Sequence, residues 1–184
     1  MIILKSYHYI SDFKKGEIVR LDKKIDIIYR NYNQTINKGT VIKLRNECRK
    51  SGRKIFLCNN FELAIKLKLD GFYIPSFNRS LQMKYKSTIK FQIIGSAHNL
   101  KEIRIKENQG VDTIVLSPIF KIKKQNNFLN INRFNLLSKL TKKKVIALGG
   151  INIKNIKKLK LLNCVGYASI KYLKNKNKLD VIRK

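Results

Sequence analysis

The stretch KVIALGGINIKNIKKLKLL, residues 144–162, contains the repeating unit from which we predict the fold. It begins with the apolar run Val145–Leu148, passes through Gly149 and Gly150, and ends in a lysine-rich segment with apolar residues at helical spacing. A continuously apolar run is typical of a strand buried on both faces of a parallel sheet. The asparagine that opens the lysine-rich segment is a good N-cap residue. The stretch therefore predicts a strand, a glycine turn and a helix over Asn152–Leu162.

The same alternation recurs along the whole chain. Eight short apolar, β-branched or aromatic runs are predicted strands: Tyr7–Ser11, Ile25–Arg30, Lys54–Asn59, Gly71–Pro75, Phe91–Ala97, Thr113–Phe120, Lys143–Gly149 and Cys164–Ile170. Helical spacing is found between them in Thr40–Lys50, Phe61–Leu69, Asn99–Asn108, Asn132–Leu140 and Asn152–Leu162. Strands that alternate with helices through short connections predict an α/β protein with a parallel sheet. Eight such strands in succession predict a (β/α)8 TIM barrel.

We expect this barrel to be trimmed. The 184 residues form a single predicted domain over residues 1–184, and they fall below the usual size of the fold. The connection Asp12–Lys24 is too short and too polar for a complete first helix, and Asn78–Lys90 is a weak helix pattern. The first and fourth helices are therefore predicted to be short or missing. An open doubly wound sheet is the structural alternative.

The net charge of +30 comes from 41 Lys and Arg against 11 Asp and Glu, a balance that attracts phosphate polymers. These basic residues are spread over nearly every predicted helix and loop, and they form no arginine-rich arm or aromatic-interleaved stripe. They also accompany many Asn and Ile residues, which share A/T-rich codons. We interpret the charge as a compositional bias, and we do not expect a nucleic-acid partner.

Composition also bears on the compartment. With 43% hydrophobic residues the chain can form a packed core, and no run approaches the eighteen apolar residues of a membrane span. The first residues lack the pattern of a signal peptide. The three cysteines are far apart and have no metal-ligand spacing, which fits reduced thiols. We therefore expect a cytoplasmic protein without a membrane partner. The sequence leaves a homo-oligomer open.

The carboxyl ends of the predicted strands indicate where the chemistry lies, because barrel active sites form there. These ends carry a set of polar residues: Arg30, Asn59, Asn60, Ser96, His98 and Ser169. Gly149 and Gly150 end the seventh strand just before a predicted helix, whose free N–H groups and dipole favour an anion. Barrels frequently bind phosphate after strands seven and eight. Gly149, Gly150 and Ser169 are therefore the predicted phosphate-binding residues.

Several motifs resemble the thiamine phosphate synthase/TenI family, whose members are (β/α)8 barrels that act on a phosphorylated thiazole. The similarity extends from about Tyr7 to Leu173, and it is carried by IIGSAHNLKE (93–102), GVDTIVLSPIF (110–120), VIALGGI (145–151), VGYASI (165–170) and KIFLCNNFELAIKLKLDGFYI (54–74). The resemblance implies that a thiazole phosphate is the small-molecule partner. It also implies that Ser96, Asn59 and Asn60 contact the substrate.

The chain departs from the synthase pattern on the side that holds pyrophosphate. Synthases bind a magnesium pyrophosphate with two aspartates, and the matching residues here are Asn60 and Asn78. The loss of two carboxylates removes most of the attraction for a hard dication, so no metal ligand is predicted and Mg²⁺ is expected only for a true synthase. Lys123 and Lys124, in the loop after the sixth strand, are predicted substrate-binding residues that supply part of the lost positive charge.

These departures favour a metal-independent proton transfer of the thiazole tautomerase type. His98 is the predicted general acid and base, and Arg30 is the predicted cation for the substrate carboxylate. Three alternatives stay open. The first is a full thiamine phosphate synthase that joins hydroxymethylpyrimidine pyrophosphate to thiazole phosphate. The second is a noncatalytic binder of a phosphorylated ligand, and the third is a basic nucleic-acid-binding protein.

Overall fold

The fold is a closed barrel of eight parallel strands. A computed structural model of the chain describes residues 4–32, 36–81, 91–122 and 126–173. Each strand pairs with the next in chain order, and the last pairs with the first. The strands are β1 Lys5–Ile10, β2 Ile25–Tyr29, β3 Ile55–Cys58, β4 Gly71–Ile74, β5 Gln92–Ala97, β6 Thr113–Leu116, β7 Lys144–Leu148 and β8 Gly166–Ser169. The predicted (β/α)8 TIM barrel is confirmed, and the open sheet is wrong.

The helices outside the barrel are few and short. They are α1 Lys38–Lys50, α2 Phe61–Lys66, α3 Leu100–Asn108 and α4 Asn130–Lys139, together with a 3₁₀ helix over Ile156–Leu161. Within the described ranges, none of them is long and apolar enough to cross a membrane. The connection between β1 and β2 contains turns and no helix, as predicted. Most of the predicted weak helix Asn78–Lys90 lies outside the described residues.

The predicted helix over Asn152–Leu162 is wrong in type and in starting point. The 3₁₀ helix begins only at Ile156, because asparagine side chains form local hydrogen bonds that compete with a helical backbone. The Nδ2 atoms of Asn152 and Asn155 both donate to the carbonyl oxygen of Gly150, at 3.1 Å and 2.8 Å. The backbone N–H of Asn152 donates to Oδ1 of Asn155 at 2.8 Å. Asn152, which we interpreted as an N-cap, instead closes a turn.

The barrel interior is filled by alternate residues of each strand. Its buried members are Tyr7, Tyr9, Ile28, Phe56, Cys58, Tyr73, Ile94, Val115, Ile146, Leu148 and Ala168. Large rings occupy the side of β1, β3 and β4, where Tyr9 and Tyr73 meet edge to face with ring centroids 5.5 Å apart. The remaining strands contribute smaller aliphatic side chains. The intervening residues of each strand pack outward, against the helices and connections.

Arg53, just before β3, holds the connection that lacks a helix. Its guanidinium is buried, and it donates to the carbonyl oxygens of Leu21 at 2.6 Å, Ile18 at 3.0 Å and Ile25 at 3.3 Å. It also donates to the carbonyl oxygen of Asp22. A helix would satisfy such carbonyls with its own N–H groups. In this connection turn N–H groups donate to the carbonyls of Ile18 and Asp22, and the Arg53 side chain donates to these two and to the carbonyls of Leu21 and Ile25.

We expect Arg53→Met to lower the free energy of unfolding by about 2–4 kcal/mol, because four carbonyls of the connection then lose the charged donor that joins them. Arg49→Met is the matched control, since the exposed Arg49 donates to a single carbonyl, that of Lys68 at 3.0 Å. The control should change stability by less than about 0.5 kcal/mol. Urea unfolding followed by circular dichroism measures both. Equal losses for the two variants would show that Arg53 does not hold the connection.

Candidate active site at the carboxyl end of the barrel

The polar residues predicted from the sequence surround one opening, which we call the barrel mouth: the end of the barrel where the strands finish. Each described member of the set lies in the last residues of a strand or directly after it: Arg30 after β2, Asn59 and Asn60 after β3, Ser96 and His98 at β5, Gly149 and Gly150 after β7, and Ser169 in β8. Because all eight strands are parallel, these residues share one end of the barrel. Lys123 and Lys124 lie outside the described residues.

His98 is held by a carboxylate four residues further along the chain. Its Nδ1 lies 2.8 Å from Oε2 of Glu102, and the same oxygen accepts the backbone N–H of His98 at 2.8 Å. When the ring is neutral, Nδ1–H donates to Glu102 and the lone pair is on Nε2. The side chain of His98 is 43% exposed, so that Nε2 can reach a ligand.

Glu102 is a functional candidate that the sequence analysis did not single out. Its backbone N–H donates to Oδ1 of Asn99 at 3.0 Å, so that Asn99 caps the helix. The cap fixes the start of α3 and thereby places the carboxylate beside the imidazole. The available signal was the spacing of four residues between His98 and Glu102, which brings two side chains together at the start of a helix.

Arg30 lies between two tyrosine rings at the opposite part of the mouth. Its guanidinium carbon is 5.0 Å from the ring centroids of both Tyr9 and Tyr32. Burial disfavours the charge, but the neighbouring Tyr32, Tyr73 and Tyr9 outweigh it and raise the pKa of Arg30, which stays a cation. Among the described parts of the chain, the guanidinium has no hydrogen-bond acceptor. Stacking holds the plane of the group and leaves its N–H edge free for an anion.

Beneath Arg30 lies a neutral polar layer that the sequence analysis did not anticipate. Burial strongly raises the pKa of Tyr9 and also raises that of Tyr73, an effect that Ser96 opposes. Burial raises the pKa of Cys58 to about 12, against the opposing effects of Tyr32 and Arg30. Cys58 is therefore a thiol at neutral pH and is not an activated nucleophile.

The residues that would hold a magnesium ion do not suit one. Oδ1 of Asn60 caps α2 by accepting the N–H of Leu63 at 3.0 Å, and Oδ1 of Asn78 accepts the N–H of Ser80 at 3.2 Å. Both are neutral amides already engaged in hydrogen bonds, whereas Mg²⁺ is bound mainly through carboxylates. Within the described ranges, no group of three His, Cys, Asp or Glu side chains is placed to bind a metal.

Backbone conformation and packing are enough to explain why both residues after β7 are glycines. Gly149 and Gly150 have φ angles of +100° and +71°, in the left-handed region. An added Cβ at Gly149 would lie 2.7 Å from Cβ of Pro118, and one at Gly150 would lie 2.5 Å from the carbonyl oxygen of Phe120. The loop after β6 therefore occupies the space that a side chain would need. The phosphate role of these glycines stays a prediction, and the helix N-terminus expected beside them is absent.

We expect Gly150→Ala to lower the free energy of unfolding by about 2–4 kcal/mol, because the new Cβ meets rigid backbone as well as an unfavourable φ. Gly52→Ala is the control, since Gly52 has a similar φ of +65° but has no atom within 4 Å of the added Cβ. It should cost only about 1 kcal/mol, from the backbone conformation. Thermal and urea unfolding measure the difference. A Gly52→Ala loss as large as that of Gly150→Ala would contradict the packing explanation.

Comparison with known proteins agrees with this architecture. A family model described as thiamine monophosphate synthase matches residues 18–173. The thiamine-phosphate synthase of Prochlorococcus marinus is 33% identical over 147 residues, which cover 73% of this chain and 42% of that protein. The thiamine-phosphate synthase of Pelagibacter ubique is 29% identical over 178 residues, which cover 91% of this chain and 85% of the relative.

The solved structure of a thiamine phosphate pyrophosphorylase from Pyrococcus furiosus has the same fold, with a TM-score of 0.72, 19% identity and coverage of 97% of both chains. The chain is a TIM barrel whose polar residues gather at the carboxyl ends of the strands, the end at which barrel enzymes carry their active sites. The chain belongs to the thiamine monophosphate synthase family (TMP-TENI), as its motifs indicated. It spans less than half the length of the Prochlorococcus relative.

Proposed function

We propose that this chain binds a thiazole phosphate that carries a carboxylate and moves a proton on its ring without a metal ion. The observation that carries the proposal is the pairing of His98 with Glu102 at the barrel mouth, 2.8 Å apart. This pairing engages Nδ1 and leaves the second ring nitrogen, Nε2, without a hydrogen-bond partner among the described residues. A histidine so held is suited to a reaction in which a proton leaves one position of a substrate and returns at another.

In the proposed step Nε2 of His98 removes a proton from one ring position, so that one bond to hydrogen breaks and an imidazolium forms beside Glu102. The imidazolium then returns its proton to a second position of the ring, and a new bond to hydrogen forms. The histidine ends the cycle neutral, and nothing is oxidised or reduced. Glu102 keeps the ring oriented and balances the transient positive charge.

Arg30 supports the recognition of a substrate carboxylate. Its guanidinium stays charged, and the rings of Tyr9 and Tyr32 hold it flat. A guanidinium edge matches the two oxygens of a carboxylate and forms short, charge-assisted hydrogen bonds with it. The neutral Tyr and Asn side chains around it provide no competing carboxylate.

The glycine turn after β7 supports a phosphate position. The backbone N–H groups of Gly150 and Ile151 have no acceptor among the described residues. Oγ of Ser169 accepts the N–H of Tyr172 at 2.9 Å, which leaves its own hydrogen free to donate. Backbone N–H groups in a left-handed turn are typical of anion sites. We propose that these groups hold the phosphate.

The second candidate function is condensation, as in a thiamine-phosphate synthase, and the names of the relatives favour it. The asparagines at 59, 60 and 78 argue against it, because that reaction would need the charge of a pyrophosphate to be neutralised. The two functions differ in their need for Mg²⁺, which makes them separable by experiment.

We expect thiazole phosphate carboxylate, at about 100 times its dissociation constant, to raise the melting temperature by about 5–10 °C, with EDTA or with Mg²⁺. The carboxylate-free thiazole phosphate should raise it less, and hydroxymethylpyrimidine pyrophosphate should not raise it in EDTA. Differential scanning fluorimetry measures these shifts. Release of pyrophosphate that requires Mg²⁺ would establish the synthase reaction instead. No shift with any of the three ligands would overturn both functions.

We expect His98→Gln to lower the turnover of the thiazole carboxylate by at least about 100-fold, because a positioned acid and base contributes about 10²–10⁴-fold. Ligand affinity should stay within about threefold, since the variant keeps a polar side chain at the mouth. Hydrogen–deuterium exchange on the ligand ring, followed by NMR, measures the proton transfer directly. Lys101→Gln, in the first turn of α3 and exposed, should match the unmodified protein. Unchanged exchange in His98→Gln would remove the histidine from the mechanism.

A further inference from the structure

Lys106 in α3 is a completely buried lysine whose partners are all neutral. Its Nζ donates to the carbonyl oxygens of Pro75 at 2.8 Å and Asn78 at 2.6 Å, and to Oε1 of Gln109 at 2.8 Å. An ammonium group has three N–H bonds, and all three have an acceptor here. Among the described residues no carboxylate forms an ion pair with Nζ, and Glu102 offsets only part of the cost of burying this charge.

The path of this side chain is prepared by Gly95. An added Cβ at Gly95, on the outer face of β5, would lie 2.8 Å from Cδ of Lys106 and 2.8 Å from Cγ1 of Val111. The glycine therefore leaves the space through which the lysine stem crosses β5. The stem reaches from α3 to the segment that follows β4, which we call the β4 loop and define as residues 75–81.

Gln109, one turn further along, binds the same loop. Its side chain is buried, and its Nε2 donates to the carbonyl oxygens of Ser80 at 2.8 Å and Asn78 at 3.1 Å. Its Oε1 accepts from Lys106 at 2.8 Å. Two buried side chains of one helix thus bind the backbone of the β4 loop at three residues. Neither residue contributes to the polar set described at the mouth.

The β4 loop extends these contacts to the Arg30 side of the mouth. Nδ2 of Asn78 donates to Oδ1 of Asn59 at 3.1 Å. The ring of Phe77 meets Tyr32 edge to face, with centroids 5.1 Å apart, and Tyr32 stacks on the guanidinium of Arg30. Any displacement of the loop therefore moves the partners of both Asn59 and Arg30.

We propose that Lys106 and Gln109 are positioning residues that fix Arg30 and Asn59 by holding the β4 loop from behind. They touch no ligand, and they act through Asn78 and Phe77. Burial lowers the pKa of Lys106 to about 8, a change that Glu102 opposes and Arg79 reinforces. The three-donor ammonium form is therefore the main form at neutral pH. The ligand part of the test rests on the proposed function, whereas the loop part does not.

The loop part uses a fluorescent reporter. The sequence has no tryptophan, so Phe77→Trp adds a single one in the β4 loop. In that background we expect Lys106→Met to raise the acrylamide quenching constant by about threefold and to lower the fluorescence anisotropy, because the loop loses two backbone anchors. Gln109→Leu should act in the same direction. Lys101→Met, on an exposed position of the same helix, should leave both signals unchanged.

The ligand part compares two affinities in the chain without the reporter. Binding of the thiazole phosphate carboxylate should weaken by about tenfold in Lys106→Met, because Arg30 loses its fixed geometry. Binding of the carboxylate-free thiazole phosphate should stay within about twofold, since the glycine turn after β7 lies on the other side of the mouth. A variant that merely damaged the fold would weaken both ligands equally.

Each outcome decides a separate question. Quenching and anisotropy equal to those of the reporter alone, in both Lys106→Met and Gln109→Leu, would overturn the positioning role. An equal loss for the two ligands would also overturn it. If Lys106→Met does not fold, Gln109→Leu decides by the same two readouts. If the unmodified protein binds neither thiazole, the proposed function fails, while the reporter still tests the loop.

Discussion

The constraint on which the structure depends is that the barrel of eight parallel strands contains connecting segments without a helix, over residues 11–24, 75–81 and 149–155. A helix satisfies most of its own backbone carbonyls, whereas an irregular segment satisfies only some of them, and a buried carbonyl without a donor is costly. Long cationic and amide side chains meet this need. Arg53 serves the connection after β1, Lys106 and Gln109 serve the β4 loop, and two asparagines serve the turn after β7.

This solution affects the candidate site, because the mouth is made of the same connections. Burying the ammonium charge of Lys106 costs free energy, and its three hydrogen bonds each need a fixed direction. The β4 loop therefore has one arrangement in which all three N–H bonds are used. A loop held in one arrangement can present Phe77 and Asn78 at fixed positions. In the β4 loop, side chains of Lys106 and Gln109 donate to the backbone carbonyls in place of helical N–H groups.

The sequence predicted those features that are encoded locally. Eight apolar runs sufficed for the barrel, and strand ends sufficed to place His98 and Arg30 at the mouth, because a parallel barrel brings all such ends together. The prediction of a helix directly after Gly150 was wrong, because the apolar spacing did not indicate that the side chains of Asn152 and Asn155 would form hydrogen bonds with the turn. The role of Lys106 depends on Gly95 and on a loop about thirty residues earlier, and no local pattern contains that information.

The electrostatics of the mouth favour an anionic ligand of modest charge. On one side the cation Arg30 lies among tyrosines, phenylalanine and asparagines, all of them neutral at neutral pH. On the other side the available donors are backbone N–H groups of a glycine turn, which suit a phosphate oxygen. The proposed function assigns the carboxylate of the ligand to the cation Arg30 and its phosphate to the backbone dipoles of the glycine turn. A pyrophosphate placed on the Arg30 side would bring several negative charges to one guanidinium. The neutral amides on that side do not suit the divalent metal ion that would neutralise those charges.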